Sequence, residues 1–275
     1  MSGFGALARH YDGFIVDLWG VVHDGFTPYP GVLDCLERLR EAGKRVVFLS
    51  NAPRRPHGIA RMLASMGVTP DLYAGIMSSG EAVHLGLKER PAEFATLGRR
   101  LYHLGPPRDR DVFDTLNYEE AAAPEAADFV LNTGPDDELG PHDPALYRPV
   151  LSACLRAGLK MICANPDLEV IKGGERIICA GYLAQLYEAD GGQVIQRGKP
   201  DAAIYQPTLD MLGTVPARTL AVGDSLRTDI AGAKAAGLDS CWVLSGIHAA
   251  QPAQAPAEAA ASGLHPAAIL PGLSW

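Results

Sequence analysis

The sequence lacks the cysteine and histidine pairs that hold zinc in many proteins. No Cys-x-x-Cys pair occurs, and the eight histidines form neither a His-x-His nor a His-x-x-x-His pair. The five cysteines are scattered and lie mostly inside apolar patterns, which predicts reduced core residues of a cytoplasmic protein. They are Cys35, Cys154, Cys163, Cys179 and Cys241. A histidine-based zinc site is therefore not expected.

Long apolar runs and blocks of basic residues are also absent. The longest apolar runs fall far short of the roughly 20 residues that a membrane helix needs, and the N-terminal segment lacks the apolar stretch of a secretory signal. Lysine and arginine number 24 against 32 aspartates and glutamates, which gives a net charge of -8. We therefore expect neither a membrane nor nucleic acid as a partner.

The composition is that of a folded protein. The chain has 275 residues, of which 47% are hydrophobic and 20% charged, so it can bury a sizeable core and is not a disordered chain. Domains commonly have roughly 100–200 residues. The length therefore predicts about two domains, with one large α/β domain as the alternative.

Short apolar runs alternate with helical patterns in the first 80 residues. The runs at 14–16, 46–49 and 72–77 have the length of strands, and helices are predicted between them at 32–42 and 56–66. Nearly continuous apolar strands separated by helices are typical of a parallel sheet that is buried on both faces. The pattern predicts a doubly wound α/β sheet.

The same pattern returns after residue 197, with predicted strands at 219–222 and 241–244. Residues 81–196 differ, with predicted strands at 100–104, 129–132 and 160–164 and predicted helices at 144–157 and 180–188. We therefore predict that residues 1–80 and 197–275 form one core domain. Residues 81–196 form a second α/β domain that is inserted into it.

Polar residues follow the predicted core strands, where open α/β sheets bind their ligands. The strands end in Asp17, in Ser50-Asn51 and in Gly223-Asp224-Ser225, and Asp229 and Lys199 lie near the last of these strands in the chain. Three carboxylates, without histidine or cysteine, favour Mg²⁺, which can bridge to a substrate phosphate. An aspartate can also act as a nucleophile and form an aspartyl-phosphate.

Four motifs occur in an order that resembles the haloacid dehalogenase (HAD) superfamily. They are FIVDLWG with Asp17, VVFLSN with Ser50, RGKP with Lys199, and GDSLRTD with Asp224 and Asp229. The insertion between the second and third motifs is similar to the C2-type cap of subfamily IIA, the branch of sugar phosphatases and nucleotidases. The segments GVVHDG at 20–25 and CANPD at 163–167 also resemble that branch.

The resemblance implies a role for each matching residue. Asp17 would be the nucleophile and a Mg²⁺ ligand, Trp19 would lend its backbone carbonyl to the metal, and Asp224 and Asp229 would complete the metal site. Ser50 and Asn51 would bind the phosphoryl group, Lys199 would position it, and Ser225 would support the loop. Asn165 and Asp167 would lie in a cap loop that reaches the substrate.

Trp19 departs from the family pattern. The phosphatases of the family have Asp-x-Asp in the first motif, and the second aspartate is the general acid and base. Indole cannot take this role at neutral pH. Three interpretations stay open: the substrate has a good leaving group, another residue such as His23 or Asp24 substitutes, or the protein binds a phosphorylated ligand without turning it over.

These features predict a Mg²⁺-dependent hydrolase of a small phosphorylated metabolite, such as a sugar phosphate, a nucleotide or an acyl phosphate. A catalytically impaired sensor of such a metabolite on the same fold is the alternative, and phosphoryl transfer to an acceptor other than water is a third option. The sequence leaves the oligomeric state open, a dimer included.

Overall fold

The computed structural model describes residues 3–172, 175–246 and 252–275. The described chain divides into two compact units. The first unit comprises residues 1–50, 57–77 and 199–275, and the second comprises residues 51–56 and 78–198. The short segment 51–56 therefore groups with the inserted part of the chain, although it directly follows a strand of the first unit.

The first unit is built on a six-stranded sheet with the order β13-β12-β11-β1-β2-β3. Strand β1 pairs in parallel with β2 on one side and β11 on the other, and β12 pairs in parallel with β11 and β13. The strands are β1 (Gly13–Val16), β2 (Arg45–Ser50), β3 (Gly75–Ser78), β11 (Thr219–Gly223), β12 (Asp239–Val243) and β13 (Ala268–Leu270). The order reverses at β1, so the carboxyl ends of β1, β2 and β11 lie side by side.

Helices of the first unit present an apolar face to this sheet. In α2, residues at helical spacing are buried (Val32, Cys35, Leu36 and Leu39), whereas the opposite face carries an exposed ion pair between Asp34 and Arg38. The helices are α1 (Phe4–Ala8), α2 (Val32–Glu41), α3 (Pro56–Ser65), α8 (Tyr205–Leu212), α9 (Ala231–Ala235) and α10 (Ala255–Ala261).

The second unit has its own parallel sheet with the order β10-β7-β6-β4-β5. Its strands are β4 (Arg100–Leu104), β5 (Glu119–Glu120), β6 (Phe129–Asn132), β7 (Lys160–Cys163) and β10 (Gln193–Gln196). An antiparallel hairpin is formed by β8 (Glu169–Lys172) and β9 (Glu175–Ile178). The helices are α4 (Ser79–Glu89), α5 (Ala92–Ala95), α6 (Arg148–Arg156) and α7 (Ala180–Ala189).

The predicted fold class, a doubly wound parallel-sheet core with an inserted α/β domain, is confirmed. Several elements were not predicted from the sequence, among them α4, the β8–β9 hairpin, β10, α10 and β13. The third core strand begins at Gly75 rather than near residue 72, because Pro70–Leu72 forms a 3-10 turn. None of the helices in the described ranges has the length and hydropathy of a membrane span.

Candidate active site

Asp17 directly follows β1, the central strand of the first unit. All four residues of β1 are buried, and the backbone N–H of Asp17 donates to the carbonyl of Val222 at 2.9 Å, which continues the pairing with β11 past the strand end. The Asp17 side chain is only 9% exposed. A buried carboxylate needs a cation or hydrogen-bond donors nearby, because burial alone strongly disfavours its charge.

Lys199 supplies that positive charge. Its Nζ lies 2.5 Å from Oδ1 of Asp17 and 2.7 Å from Oδ1 of Asp229, and it donates a hydrogen bond to the Leu49 carbonyl at 3.0 Å. The ammonium group has three donors, and these three acceptors use all of them. The structure therefore brings Lys199 to Asp17 and Asp229, which the sequence analysis expected to meet at one crevice.

Asp224 directly follows β11, and Asp229 lies within the π-helical turn at Leu226–Ile230. The backbone N–H of Ser225 donates to Oδ2 of Asp229 at 3.1 Å, and the Ser225 hydroxyl accepts from Thr228 N at 3.4 Å. Ser225 thus fixes the loop that carries both carboxylates. The π-helical turn continues into the short helix α9.

The carboxylates of Asp17, Asp224 and Asp229 form a cluster that could hold a metal ion. One oxygen from each lies within 4.8 Å of the others, and all three residues are buried. An oxygen-only donor set suits Mg²⁺ or another hard divalent cation. The residues present therefore fit the metal that the sequence motifs imply.

Two glycines leave room for Asp224. A Cβ atom on Gly20 would lie 2.1 Å from Oδ2 of Asp224, and one on Gly246 would lie 1.8 Å from the same oxygen. Gly20 also has a φ of +86°, a conformation that side chains disfavour. The hydroxyl of Ser245 donates to the Gly20 carbonyl at 2.6 Å and so joins the two loops that face Asp224.

Two buried aromatic residues donate hydrogen bonds to the backbone carbonyls of Asp224 and Asp229, and neither residue was predicted from the sequence. The indole Nε1 of Trp242 donates to the Asp224 carbonyl at 2.9 Å, and the Tyr205 hydroxyl donates to the Asp229 carbonyl at 3.3 Å. Burial raises the pKa of Tyr205, so this hydroxyl stays protonated as a donor. No sequence signal marks either residue, because each lies inside an ordinary apolar pattern and acts through a backbone atom.

Ser50 is the last residue of β2, the parallel neighbour of β1, and it is buried. The structure therefore places Ser50 at the same sheet edge as Asp17. Its hydroxyl and the backbone amide groups that follow suit the binding of a phosphoryl group, which stays the predicted role.

We name residues 18–29, the loop that directly follows Asp17, the flap. The Trp19 ring meets the ring of His23 edge-on, with the centroids 5.6 Å apart, and a Cβ on Gly25 would lie 2.5 Å from the indole. The backbone N–H of Gly25 donates to Nδ1 of His23 at 3.0 Å. Burial lowers the pKa of His23 to about 4, so this imidazole is neutral near pH 7.

Asp24, the other candidate for the missing acid and base, caps a turn of the flap. Its Oδ1 accepts hydrogen bonds from the backbone N–H groups of Phe26 at 2.9 Å and Thr27 at 2.8 Å. These two hydrogen bonds hold the pKa of Asp24 below its usual range. Asp24 is therefore a carboxylate with a structural partner.

Asn51, Asn165 and Asp167 belong to the second unit, where they contact one another. Nδ2 of Asn51 donates to Oδ1 of Asp167 at 2.9 Å, and Oδ1 of Asn165 accepts from the backbone N–H of Asp167 at 3.0 Å. The Ser79 hydroxyl donates to Oδ1 of Asn51 at 3.3 Å. A role of these residues in substrate binding stays a prediction.

Comparisons with known proteins agree with the geometry. A model of haloacid dehalogenase-like hydrolases matches residues 14–119, and a model of HAD-hydrolase-like proteins matches residues 196–274. Together these ranges contain all four motifs. They leave out only the middle of the second unit and the chain ends.

Full-length relatives and solved structures extend the match over the whole chain. A haloacid dehalogenase-like hydrolase from Brucella suis has a crystal structure with a TM-score of 0.86 and 31% identity, with 98% of each chain covered. Chronophin from Bos taurus is 29% identical, with 88% of this chain and 84% of the relative covered. The 5'-nucleotidase YutF from Bacillus subtilis is 25% identical over 87% of this chain and 89% of the relative. The chain is therefore a member of the haloacid dehalogenase-like hydrolase family, as its sequence motifs predict.

Proposed function

We propose that this protein is a Mg²⁺-dependent phosphatase that hydrolyses a small phosphorylated metabolite through an aspartyl-phosphate on Asp17. The single observation that carries the proposal is the buried cluster in which Lys199 bridges Asp17 and Asp229 while Asp224 completes a set of three carboxylates. Hydrolysis of a phosphorylated compound also agrees with the name of the related 5'-nucleotidase YutF. A sugar phosphate, a nucleotide and an acyl phosphate are all candidate substrates.

Asp17 suits the role of nucleophile because the first unit holds it rigidly. Its backbone continues the β1 ladder, and its Oδ1 is fixed by Lys199. A nucleophile that is held in one geometry loses little entropy on reaching the transition state. Ser50 would bind a phosphoryl oxygen, and the charge of Lys199 would position the phosphoryl group. Positioning with electrostatic stabilisation is the main contribution of a protein to phosphoryl transfer.

The carboxylates of Asp17, Asp224 and Asp229, with the Trp19 carbonyl, would hold the metal. A bound Mg²⁺ would neutralise charge on the phosphoryl group and on the carboxylates around it. Lys199 supplies positive charge beside Asp17 and Asp229. Tyr205 and Trp242 would keep two of the ligands in place through their backbone carbonyls.

The second unit is proposed to act as the cap. We assign residues 1–80 and 197–275 to the catalytic core and residues 81–196 to the cap, and the two compact units support this division. Asn51, Asn165 and Asp167 would contribute to substrate binding from the cap. A cytoplasmic location is part of the proposal, and it is supported by five cysteines that are all buried and free of disulfides.

A screen of phosphorylated compounds with Mg²⁺ tests the proposal. The purified protein should release phosphate from at least one sugar phosphate, nucleotide or acyl phosphate, and Asp17→Asn should abolish this activity. Asp34→Asn is the matched control, since Asp34 is an exposed carboxylate in an i,i+4 ion pair on α2. Binding of a phosphorylated compound without turnover by the wild-type protein would favour the sensor instead.

A further inference from the structure

We propose that the site acts on phosphoryl compounds whose leaving group departs as a stable anion without taking up a proton. Aryl phosphates, acyl phosphates and phosphoanhydrides have this chemistry, whereas alkyl monoesters do not. This inference rests on the proposed function and names its substrate class. It is carried by the hydrogen bonds and packing of the flap, residues 18–29, which directly follows Asp17.

The flap lies against the candidate metal site. Gly20 packs on the carboxylate of Asp224, and Trp19 is separated from Asp17 by one residue. The resemblance to the HAD phosphatases makes position 19 the position of their proton donor. At that position this chain carries an indole, which has one N–H and no proton to give at neutral pH.

Trp19 is built into the flap. Its ring lies edge-on to His23, and a Cβ on Gly25 would lie 2.5 Å from the indole. The φ of +98° at Gly25 separately disfavours a side chain there. The flap therefore has a packing that depends on an aromatic ring at position 19.

His23 does not replace the missing acid. Its Nδ1 accepts a hydrogen bond from the Gly25 amide, so this nitrogen has no proton to donate. Nε2 is buried, and it has no hydrogen-bond partner among the described residues. The imidazole is thus held inside the flap by one nitrogen and shielded from solvent at the other.

Asp24 does not replace the missing acid either, because one oxygen of its carboxylate accepts two backbone hydrogen bonds within the turn at 24–27. Protonation of this carboxylate would weaken both hydrogen bonds. Tyr29, which closes the flap, is the remaining titratable side chain of this loop, and a phenol is a weak acid at neutral pH. The flap therefore offers no group that protonates a leaving oxygen.

Phosphorylation of Asp17 and hydrolysis of the aspartyl-phosphate can both proceed without such a group when the leaving anion is stable. A carboxylate oxygen of Asp17 forms a bond to phosphorus, the bond from phosphorus to the leaving oxygen breaks, and the electron pair leaves with that oxygen. A water oxygen then bonds to phosphorus, and the bond to Asp17 breaks with its electron pair returning to the carboxylate. The protons of that water remain on the phosphate product or pass to the solvent.

The dependence of the rate on the leaving group tests the inference. We expect kcat/KM of the wild-type enzyme to fall steeply from p-nitrophenyl phosphate to phenyl phosphate and then to benzyl phosphate, and acetyl phosphate to be a good substrate. General acid assistance is worth about 10²–10⁴-fold, so Trp19→Asp should reduce the ratio between the best and worst substrates by up to that factor. Trp19→Phe keeps an aromatic ring without a carboxyl group and should keep the steep dependence.

The kcat/KM values of the wild-type enzyme across these substrates test the inference even if Trp19→Asp fails to fold. A shallow dependence of kcat/KM on the leaving group in the wild-type enzyme would overturn this inference and leave the proposed phosphatase intact. Absence of turnover with every compound in the series would overturn the proposed function and this inference with it.

Discussion

The ammonium group of Lys199 lies 2.5 Å from a carboxylate oxygen of Asp17, and both side chains are almost completely buried. The two residues are 182 positions apart in the chain. Their contact joins the first motif to the third and places the proposed nucleophile against a fixed positive charge. Because the same ammonium group also contacts Asp229, one residue balances two of the three carboxylates of the candidate metal site.

Lys199→Met should destabilise the protein and remove its activity. The substitution leaves Asp17 and Asp229 buried without their cation, and breaking a buried pair in this way costs about 3–5 kcal/mol. Denaturant unfolding at pH 7 without divalent metal measures the loss. Added Mg²⁺ should recover more stability in this variant than in the wild-type protein, because the ion would supply the missing positive charge. Equal stabilisation of both proteins by Mg²⁺ would contradict this interpretation.

Trp242→Phe should weaken Mg²⁺ binding without removing the aromatic packing around residue 242. The indole hydrogen bond to the Asp224 carbonyl is lost, which at about 1 kcal/mol corresponds to a roughly fivefold weaker Kd for Mg²⁺. Isothermal titration with MgCl₂ measures the affinity directly. The control is Tyr11→Phe, which removes another aromatic donor, the one to Asp239 at the opposite end of β12. The same loss of affinity in both variants would show that no specific support of Asp224 exists.

Asp109→Asn should stabilise the protein at neutral pH. Burial raises the pKa of Asp109 to about 6, although Arg54 lies 3.2 Å from its Oδ1. The folded pKa exceeds the unfolded one, so the carboxyl contributes stability at low pH that is lost as the pH rises from about 4 to about 6. The variant should therefore gain about 1–3 kcal/mol over the wild-type protein at pH 7 and little at pH 4.

Unfolding free energies of both proteins between pH 4 and pH 8 measure this difference. The exposed Asp137, which pairs with Arg108, provides the control variant Asp137→Asn. That variant should follow the wild-type pH profile. A gain for Asp109→Asn that is the same at every pH would mean that the carboxyl charge is not its cause.

Much of the fold and of the site could be predicted from the sequence, because the strands of the first unit are short, apolar and followed at once by polar residues. This pattern places Asp17, Ser50 and Asp224 at one sheet edge. Motif order adds Asp229 and Lys199, and the structure brings the Lys199 ammonium group and the three carboxylates into one contact cluster.

Other features could not be predicted from the sequence. Seven of the eight strand residues of the β8–β9 hairpin are half-buried or exposed, so it lacks the apolar run that marks a core strand. Helix α4 begins at a cap in which the Ser78 side chain accepts from the Glu81 amide, a local signal that the sequence analysis did not use. Trp242 and Tyr205 act through hydrogen bonds to backbone carbonyls, and such contacts leave no pattern in a single sequence.

The central claim is that Asp17 is the residue that becomes phosphorylated. The most direct measurement is rapid acid quenching of the wild-type enzyme during turnover of p-nitrophenyl phosphate with Mg²⁺, followed by mass spectrometry of the peptide that contains Asp17. The account predicts a phosphate adduct on Asp17 that is absent from Asp17→Asn and that disappears as the substrate is exhausted. Turnover of the substrate by Asp17→Asn, or an adduct on another residue of the wild-type enzyme, would contradict it.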